Sequence, residues 1–282
     1  MMRGAVFASL CGLLAVVHPG LCATIHEKHG MGMGTDQLTF TIVYDNRSGS
    51  KGLESAWGFS CLVKGLDATI LFDTGGDSPT LLRNMGKLGI APESVDVIVL
   101  SHAHMDHVGG LAGFLEVHSD VTVYTLKSFP ASIGDEARDC GAKVIEVRES
   151  VVICPGAAST GEMGGLMSVK EQSLVVTTKG GAIVVTGCSH PGIVSIVERA
   201  KTLAGQEILA ILGGFHLFGD NDTSIRRVVS RLQELGVRYV APCHCSGDPA
   251  VERFRTAYGE RFIPCSVGKV IAVPDLDVHL PE

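Results

Sequence analysis

From Leu38 onward the chain alternates short apolar runs with stretches in which apolar residues recur every three or four positions. The runs LTFTIVY, FSCLVKG and ATILFD are rich in β-branched and aromatic residues and are bounded by Gly, Asp and Asn, which predicts three strands. A helix is predicted over 79–88, with Ser78 as its N-cap and Pro79 at its first position, where a missing N–H costs nothing. VDVIVL, DVTVYT and AKVIEV predict further strands, and a glycine-dense loop is expected from Pro155 to Met167. In the second half SLVVTT, AIVVTG, EILAIL and VRYVAP are predicted strands, with helices over 192–203, 223–235 and 249–258. In the middle helix Ile225, Val228, Val229, Leu232 and Leu235 share one face, and Gly236 stops it. Two sets of strands with flanking helices imply a layered α/β sandwich. Loops that follow such strands gather at one edge, where chemistry is usually placed.

The N-terminus departs from this alternation. MMRGAVFASLCGLLAVVHPGLCAT presents Arg3, an apolar run from Ala5 to Val17, a Pro-Gly break and small residues up to Ala23, the pattern of a cleavable secretory signal over 1–23. The run is shorter than the roughly 20 residues of a spanning helix, and His18-Pro19 interrupts it. A periplasmic or secreted protein without a stable membrane anchor is therefore expected. Residues 24–36, TIHEKHGMGMGTD, are polar and glycine-rich and read as a flexible leader, which leaves one domain over 37–282.

Composition narrows the partners. With 45% hydrophobic and 19% charged residues the chain has the make-up of a well-packed globular protein. A net charge of −7, with no run of Lys and Arg interleaved with aromatics, argues against nucleic acid and leaves a small-molecule substrate as the expected partner. Beyond the signal, seven cysteines at irregular spacing do not suggest a disulfide framework. Cys61, Cys140, Cys154 and Cys265 are expected to act as small buried apolar residues.

The chemistry concentrates in SHAHMDHVGG, which puts His102, His104, Asp106 and His107 at the end of the predicted strand VDVIVL. Histidines two apart on an extended segment point the same way. Imidazole suits zinc, iron or manganese, and a carboxylate adds charge for a harder position. His190 in GCSHPG, His216 in GGFHLFG and His244 in CHCSGD likewise follow predicted strands, each beside residues that turn the backbone sharply. Asp73 in LFDTGGD is a further carboxylate at a strand end, whereas His118 and His279 lack such a setting and are assigned to the surface.

SHAHMDH resembles the signature of the metallo-β-lactamase superfamily, which implies an αββα sandwich with one or two metals at the edge of the paired sheets. TGEM, EQSLVV, TGCSHPGIVSIV, GGFHL, CHCSG and SVGKVIAV further resemble the branch that includes the dihydropterin/ribofuranosylaminobenzene phosphate synthases, over roughly Leu38 to Val273. The resemblance implies that His102, His104 and His190 hold one divalent ion and Asp106, His107 and His244 a second. Zinc is expected, with iron and manganese as alternatives. Asp73 would support these ligands from behind. His216 would contact substrate or an oxyanion, its alternative being a structural histidine. Asp106 would both ligate and accept a proton from the nucleophile, while His216 or Lys127 could face developing charge. Cys188 stands where the superfamily carries a bridging aspartate, either as a weaker ligand or as a small apolar filler of the sheet. The function so implied is hydrolysis of a small ester-like substrate, a phosphoester first. The alternatives are a pterin-type synthase and a non-catalytic periplasmic protein that binds a metal or ligand.

Overall fold

A computed structural model of the chain describes Met1, residues 37–164 and residues 169–277. The predicted signal beyond Met1, the leader over 24–36 and His279 lie outside the described residues. Among the described residues, no helix is long and apolar enough to cross a membrane.

Thirteen strands form two sheets among these residues. The first contains β1 (Thr39–Tyr44), β2 (Ser60–Lys64), β3 (Ile70–Phe72), β4 (Val97–Val99), β5 (Thr122–Leu126), β6 (Lys143–Val147) and β13 (Val270–Ala272), in the order β13-β1-β2-β3-β4-β5-β6. The second contains β7 (Val151–Cys154), β8 (Ala157–Ser159), β9 (Leu174–Thr178), β10 (Gly181–Thr186), β11 (Ile208–Gly214) and β12 (Tyr239–Cys243), in the order β12-β11-β10-β9-β8-β7. Pairing is parallel from β3 through β6 and from β10 through β12. Elsewhere it is antiparallel. Parallel strands are buried on both faces. Every residue of β10 and β11 is accordingly buried, which is why AIVVTG and EILAIL read as unbroken apolar runs.

Three apolar clusters stack the layers. Phe40, Phe72 and Val99 of the first sheet, with Phe59 just before β2, meet Val176, Ile183, Val185 and Leu212 of the second, forming the core between the sheets. The outer face of the first sheet packs on α1 (Ser78–Lys87), α2 (Met105–Val108), α3 (Leu111–Val117) and α4 (Ala131–Asp139) through Leu81, Met85, Val108, Phe114 and Ala137. The outer face of the second packs on α5 (Ile193–Ala204), α6 (Asp222–Glu234) and α7 (Asp248–Tyr258) through Ile196, Val197, Val229, Leu232 and Phe254. Helices outside, two sheets inside: this is the expected αββα sandwich. Each fully buried large apolar side chain contributes about 1.5–3 kcal/mol relative to exposure.

Some local expectations need correcting. The N-cap of α1 is Asp77, whose carboxylate accepts from the Thr80 N–H at 2.7 Å, so Ser78 and Pro79 open the helix itself. The expected loop after Pro155 contains the short strand β8, held by antiparallel pairing to β7 and β9. His118 is half-buried, with Nε2 3.2 Å from the Val95 carbonyl. All seven cysteines of the domain are free; Cys140 is half-buried and the others are buried.

Candidate metal centre

The carboxyl ends of β3, β4, β10, β11 and β12 carry Asp73, the His102–His107 loop, Cys188 and His190, His216, and His244 respectively. Among the described residues, the four non-glycine residues with left-handed backbone are Asp73 (φ 59°), Ser189 (φ 66°), His216 (φ 50°) and His244 (φ 48°). All four belong to these strand ends. Such conformations cost about 1–3 kcal/mol each and persist where the surroundings force them. Close packing does the forcing: a Cβ on Gly187 would come within 2.2 Å of Ser101 Oγ, so only glycine lets the β10 end approach the β4 end.

Asp106, His107, Cys188 and His244 converge, with one donor atom from each within 4.8 Å of the others. Surrounding hydrogen bonds assign the imidazole protons. Asp73, fully buried, accepts from Ser101 N and Ser101 Oγ at 2.7 Å each, and His107 Nδ1 lies 2.6 Å from its Oδ2. His107 therefore carries its proton on Nδ1. Asn46 Nδ2 donates to the His244 carbonyl, so its Oδ1 is the acceptor that faces His244 Nδ1 at 3.0 Å. Nδ1 of His244 is thus protonated as well. The lone pairs on His107 Nε2 and His244 Nε2 then face each other at 3.2 Å, with Cys188 Sγ 3.2 Å from the former and Asp106 Oδ2 3.3 Å from the latter. Two neutral imidazole lone pairs repel unless a cation lies between them, so this donor set fits a metal ion.

Electrostatics here favour positive charge. Burial pushes His107 down, but the Asp73 carboxylate beside it outweighs burial and holds it above the ordinary value. Burial would raise Asp106, yet its contact with His244 and the nearby His107 hold it well below the usual carboxylate range.

A second group lies alongside. His102, His104 and His190 place their donor atoms within 4.8 Å of one another. Ser101 Oγ, having given its hydrogen to Asp73, accepts from His102 Nδ1 at 2.9 Å, which leaves His102 Nε2 as a lone pair 3.1 Å from His104 Nδ1. His190 Nε2 is buried and has no hydrogen-bond partner. Burial first, then neighbouring imidazoles, push His102 well below its ordinary value and His190 down to about 4. Imidazoles held neutral, as His102 and His190 are, are what a cation needs, and this set fits one too. The rings of His102 and His107 are 4.1 Å apart, so the two groups are contiguous. His104 is exposed and Asp106 partly so, which leaves the centre open to solvent on one side.

Both groups bridge the sandwich: His102, His104, Asp106 and His107 follow β4 of the first sheet, whereas Cys188, His190 and His244 follow strands of the second. All six expected ligands are brought together. Of the two expectations for Cys188 the geometry favours the ligand, because its buried sulfur lies 3.2 Å from His107 Nε2. His216 is exposed, its ring 4.3 Å from that of His190, and it is not a buried structural histidine. Lys127 lies exposed just past β5.

Several supporting residues escaped sequence reasoning. Glu171, fully buried, accepts from the backbone N–H of Gly187, Cys188 and Ser189 on Oε1 and of His190 on Oε2, at 2.8–3.1 Å. It thereby folds the loop that presents Cys188 and His190. Burial nonetheless lifts its own pKa, against those N–H bonds. A charged residue in EQSLVV at the entrance of the mostly buried strand β9 was the available signal. Asn46 and Asp45, which orient His244 through its ring and its backbone N–H, carry no local signature.

Residues 58–244 match the family model of the metallo-beta-lactamase superfamily. The chain belongs to that superfamily. It is similar to the 7,8-dihydropterin-6-methyl-4-(beta-D-ribofuranosyl)-aminobenzene-5'-phosphate synthase of Methanocaldococcus jannaschii, 28% identical over 279 residues, covering 82% of this chain and 95% of the relative. Among solved structures it is similar to Tm1679, described as a metal-dependent hydrolase of the beta-lactamase superfamily, with a TM-score of 0.72, 30% identity, and coverage of 83% of this chain and 98% of that one. The metallo-beta-lactamase fold protein YhfI from Bacillus subtilis aligns with a TM-score of 0.61 at 16% identity, over 84% of this chain and all of that one. This last match reflects the shared fold.

Proposed function

We propose that the chain is an exported, binuclear metal-dependent hydrolase acting on a small ester-like substrate, a phosphoester first. The observation that carries this reading is the pair of contiguous donor groups, one of three imidazoles and one of carboxylate, thiol and two imidazoles, open to solvent on one side. His102, His104 and His190 would hold one ion; Asp106, His107, His244 and Cys188 the other. A pair of divalent cations held there would supply Lewis acidity and lower the pKa of water to about 7.

The protein's own groups do the remainder. Asp106, held ionised, accepts the proton of the nucleophile. Asp73 and Asn46 keep the His107 and His244 rings in one tautomer and orientation. His216, exposed beside His190 and lifted above its ordinary pKa by its bond with Cys245, faces the side from which substrate enters and meets developing negative charge there. The organic portion of the ester is assigned to a groove of about 950 Å³ that starts at Ala103 and Met105 and is lined by Leu111, Ile133, Asp135 and Glu136. Its acidic rim favours an uncharged or cationic group.

The similarity to a synthase supports a second reading, in which the same centre serves a transfer rather than a hydrolysis. The test is a panel of phosphomonoesters, phosphodiesters, lactones and β-lactams offered to metal-loaded and chelated protein. Metal-dependent release of phosphate is expected. Turnover of none of the panel by fully loaded protein would overturn hydrolysis in favour of transfer.

A further inference from the structure

Beyond the two ligand groups lies a third cluster. Cys188, His216 and Cys245 present donor atoms that all lie within 4.8 Å of one another, and only Cys188 is shared with the groups above. Cys245 sits in the turn His244–Ser246 that follows β12, and its Sγ lies 3.6 Å from the Cys188 carbonyl. All three residues follow strands of the second sheet.

The surroundings hold this arrangement. A Cβ on Gly214 would come within 2.7 Å of Cys245 Sγ, so the thiol occupies a space that only glycine leaves free. Ser246 Oγ donates to the Cys243 carbonyl at 2.7 Å and accepts from Phe215 N at 3.0 Å, while Phe218 N donates to the Cys245 carbonyl at 3.1 Å. These bonds tie the turn that carries Cys245 to the loop that carries His216. Both thiols are buried, at 4% and 5% exposure, and the imidazole reaches solvent, so the cluster has a dry side and an entrance.

The donor chemistry differs from its neighbours. One group has three imidazoles; the next mixes a carboxylate with one sulfur; this one has two sulfurs, one nitrogen and no oxygen. Thiolates select soft ions, while carboxylates favour hard ones. An ion bonded to two sulfurs at about 2.3 Å and a nitrogen at about 2.0 Å sets the donors roughly 3.5 to 4 Å apart, within the spread seen here. We infer that Cys188, Cys245 and His216 form a third cation site, selective for a soft thiophilic ion such as Cd(II) or Cu(I), and that filling it withdraws Cys188 from the Asp106–His107–His244 group. Each thiol releases its proton to solvent as its sulfur bonds the ion, and His216 binds as the neutral imidazole. The inference rests on the geometry of Cys188 and needs no particular reaction at the centre.

The experiment titrates zinc-loaded protein with Cd(II) and follows thiolate-to-cadmium charge-transfer absorption together with zinc release. One cadmium with the absorption of two thiolates is expected, and one zinc should leave per cadmium bound. Cys245→Ser should halve the absorption and weaken cadmium at least tenfold. His216→Asn, at an exposed position whose left-handed backbone asparagine tolerates, should keep the absorption and weaken affinity. Should Cys245→Ser fail to fold, His216→Asn and the wild-type absorption still decide. A one-thiolate absorption in the wild type, or cadmium affinity unchanged in both variants, would overturn the site. No substrate is involved, so failure of the hydrolase reading leaves this result intact.

Discussion

The two contiguous donor groups are built to different standards. The Asp106–His107–Cys188–His244 group is deep, and its imidazoles are fixed from behind by Asp73 and Asn46. The His102–His104–His190 group has one ring fixed, through Ser101, while His104 is exposed and His190 Nε2 has no hydrogen-bond partner. Groups behind the ligands set tautomer and ring orientation, and their loss typically weakens a metal site 10–100-fold. The difference teaches that one position is prepared before any ion arrives and the other is completed by it.

The largest effect is expected at Asp73, where the preparation originates. Asp73→Ala strips a buried His107 of its partner and Ser101 of two acceptors, and should cost about 3–5 kcal/mol of folding stability as well as most of the metal. Urea denaturation and elemental analysis measure both. A loss below about 1 kcal/mol would break the comparison, because the deep group would then need no support.

Direct ligand deletions come next. His244→Ala removes a buried ring and its Nδ1 bond to Asn46, and should cost about 1–3 kcal/mol along with one metal equivalent. His104→Ala, at the exposed rim, should lose one equivalent with stability changed by no more than about 0.5 kcal/mol. Equal destabilisation by the two would erase the distinction.

The subtlest effect is a difference of sign with pH in chelated protein. His190, pushed down to about 4, binds fewer protons folded than unfolded, so its environment destabilises the fold progressively as pH falls from about 6.5 to about 4. His107, held above its ordinary value, does the reverse: its contribution is present below about 6.5 and is lost as pH rises through the folded pKa. Stability should therefore fall less steeply between about pH 6.5 and 4 in His190→Asn than in wild type, whereas His107→Asn should remove the decline that wild type shows as pH rises above about 6.5. Identical slopes would show that the two groups share one electrostatic environment.

Much of this was legible in the sequence. The parallel strands announce themselves as apolar runs, and the ligands stand at their ends in SHAHMDH, GCSH and CHC. Strands such as β8 and β13 span only three residues, too few for a period-two pattern to register. The direction of the Cys188 side chain was not legible, since it depends on Glu171 folding the loop from 16 or more residues away in sequence. Nor was the partnership of Asn46 with His244, 198 positions apart. Ligands follow local backbone rules, whereas the residues that aim them come from wherever the two sheets happen to meet.

That both donor groups straddle the sheets has a mechanical side. An ion in either group would rivet one slab of the sandwich to the other, so its binding energy would be felt across the whole seam rather than at the rim alone. Saturation at 100 times the dissociation constant adds about 2.7 kcal/mol per ion to the resistance against the slabs parting. The thiol-rich cluster sits on one slab only. A soft ion that lodges there and loosens the neighbouring rivet would leave the joint weaker than before, turning a chemical preference for sulfur into a change in how firmly the two halves of the molecule are clasped.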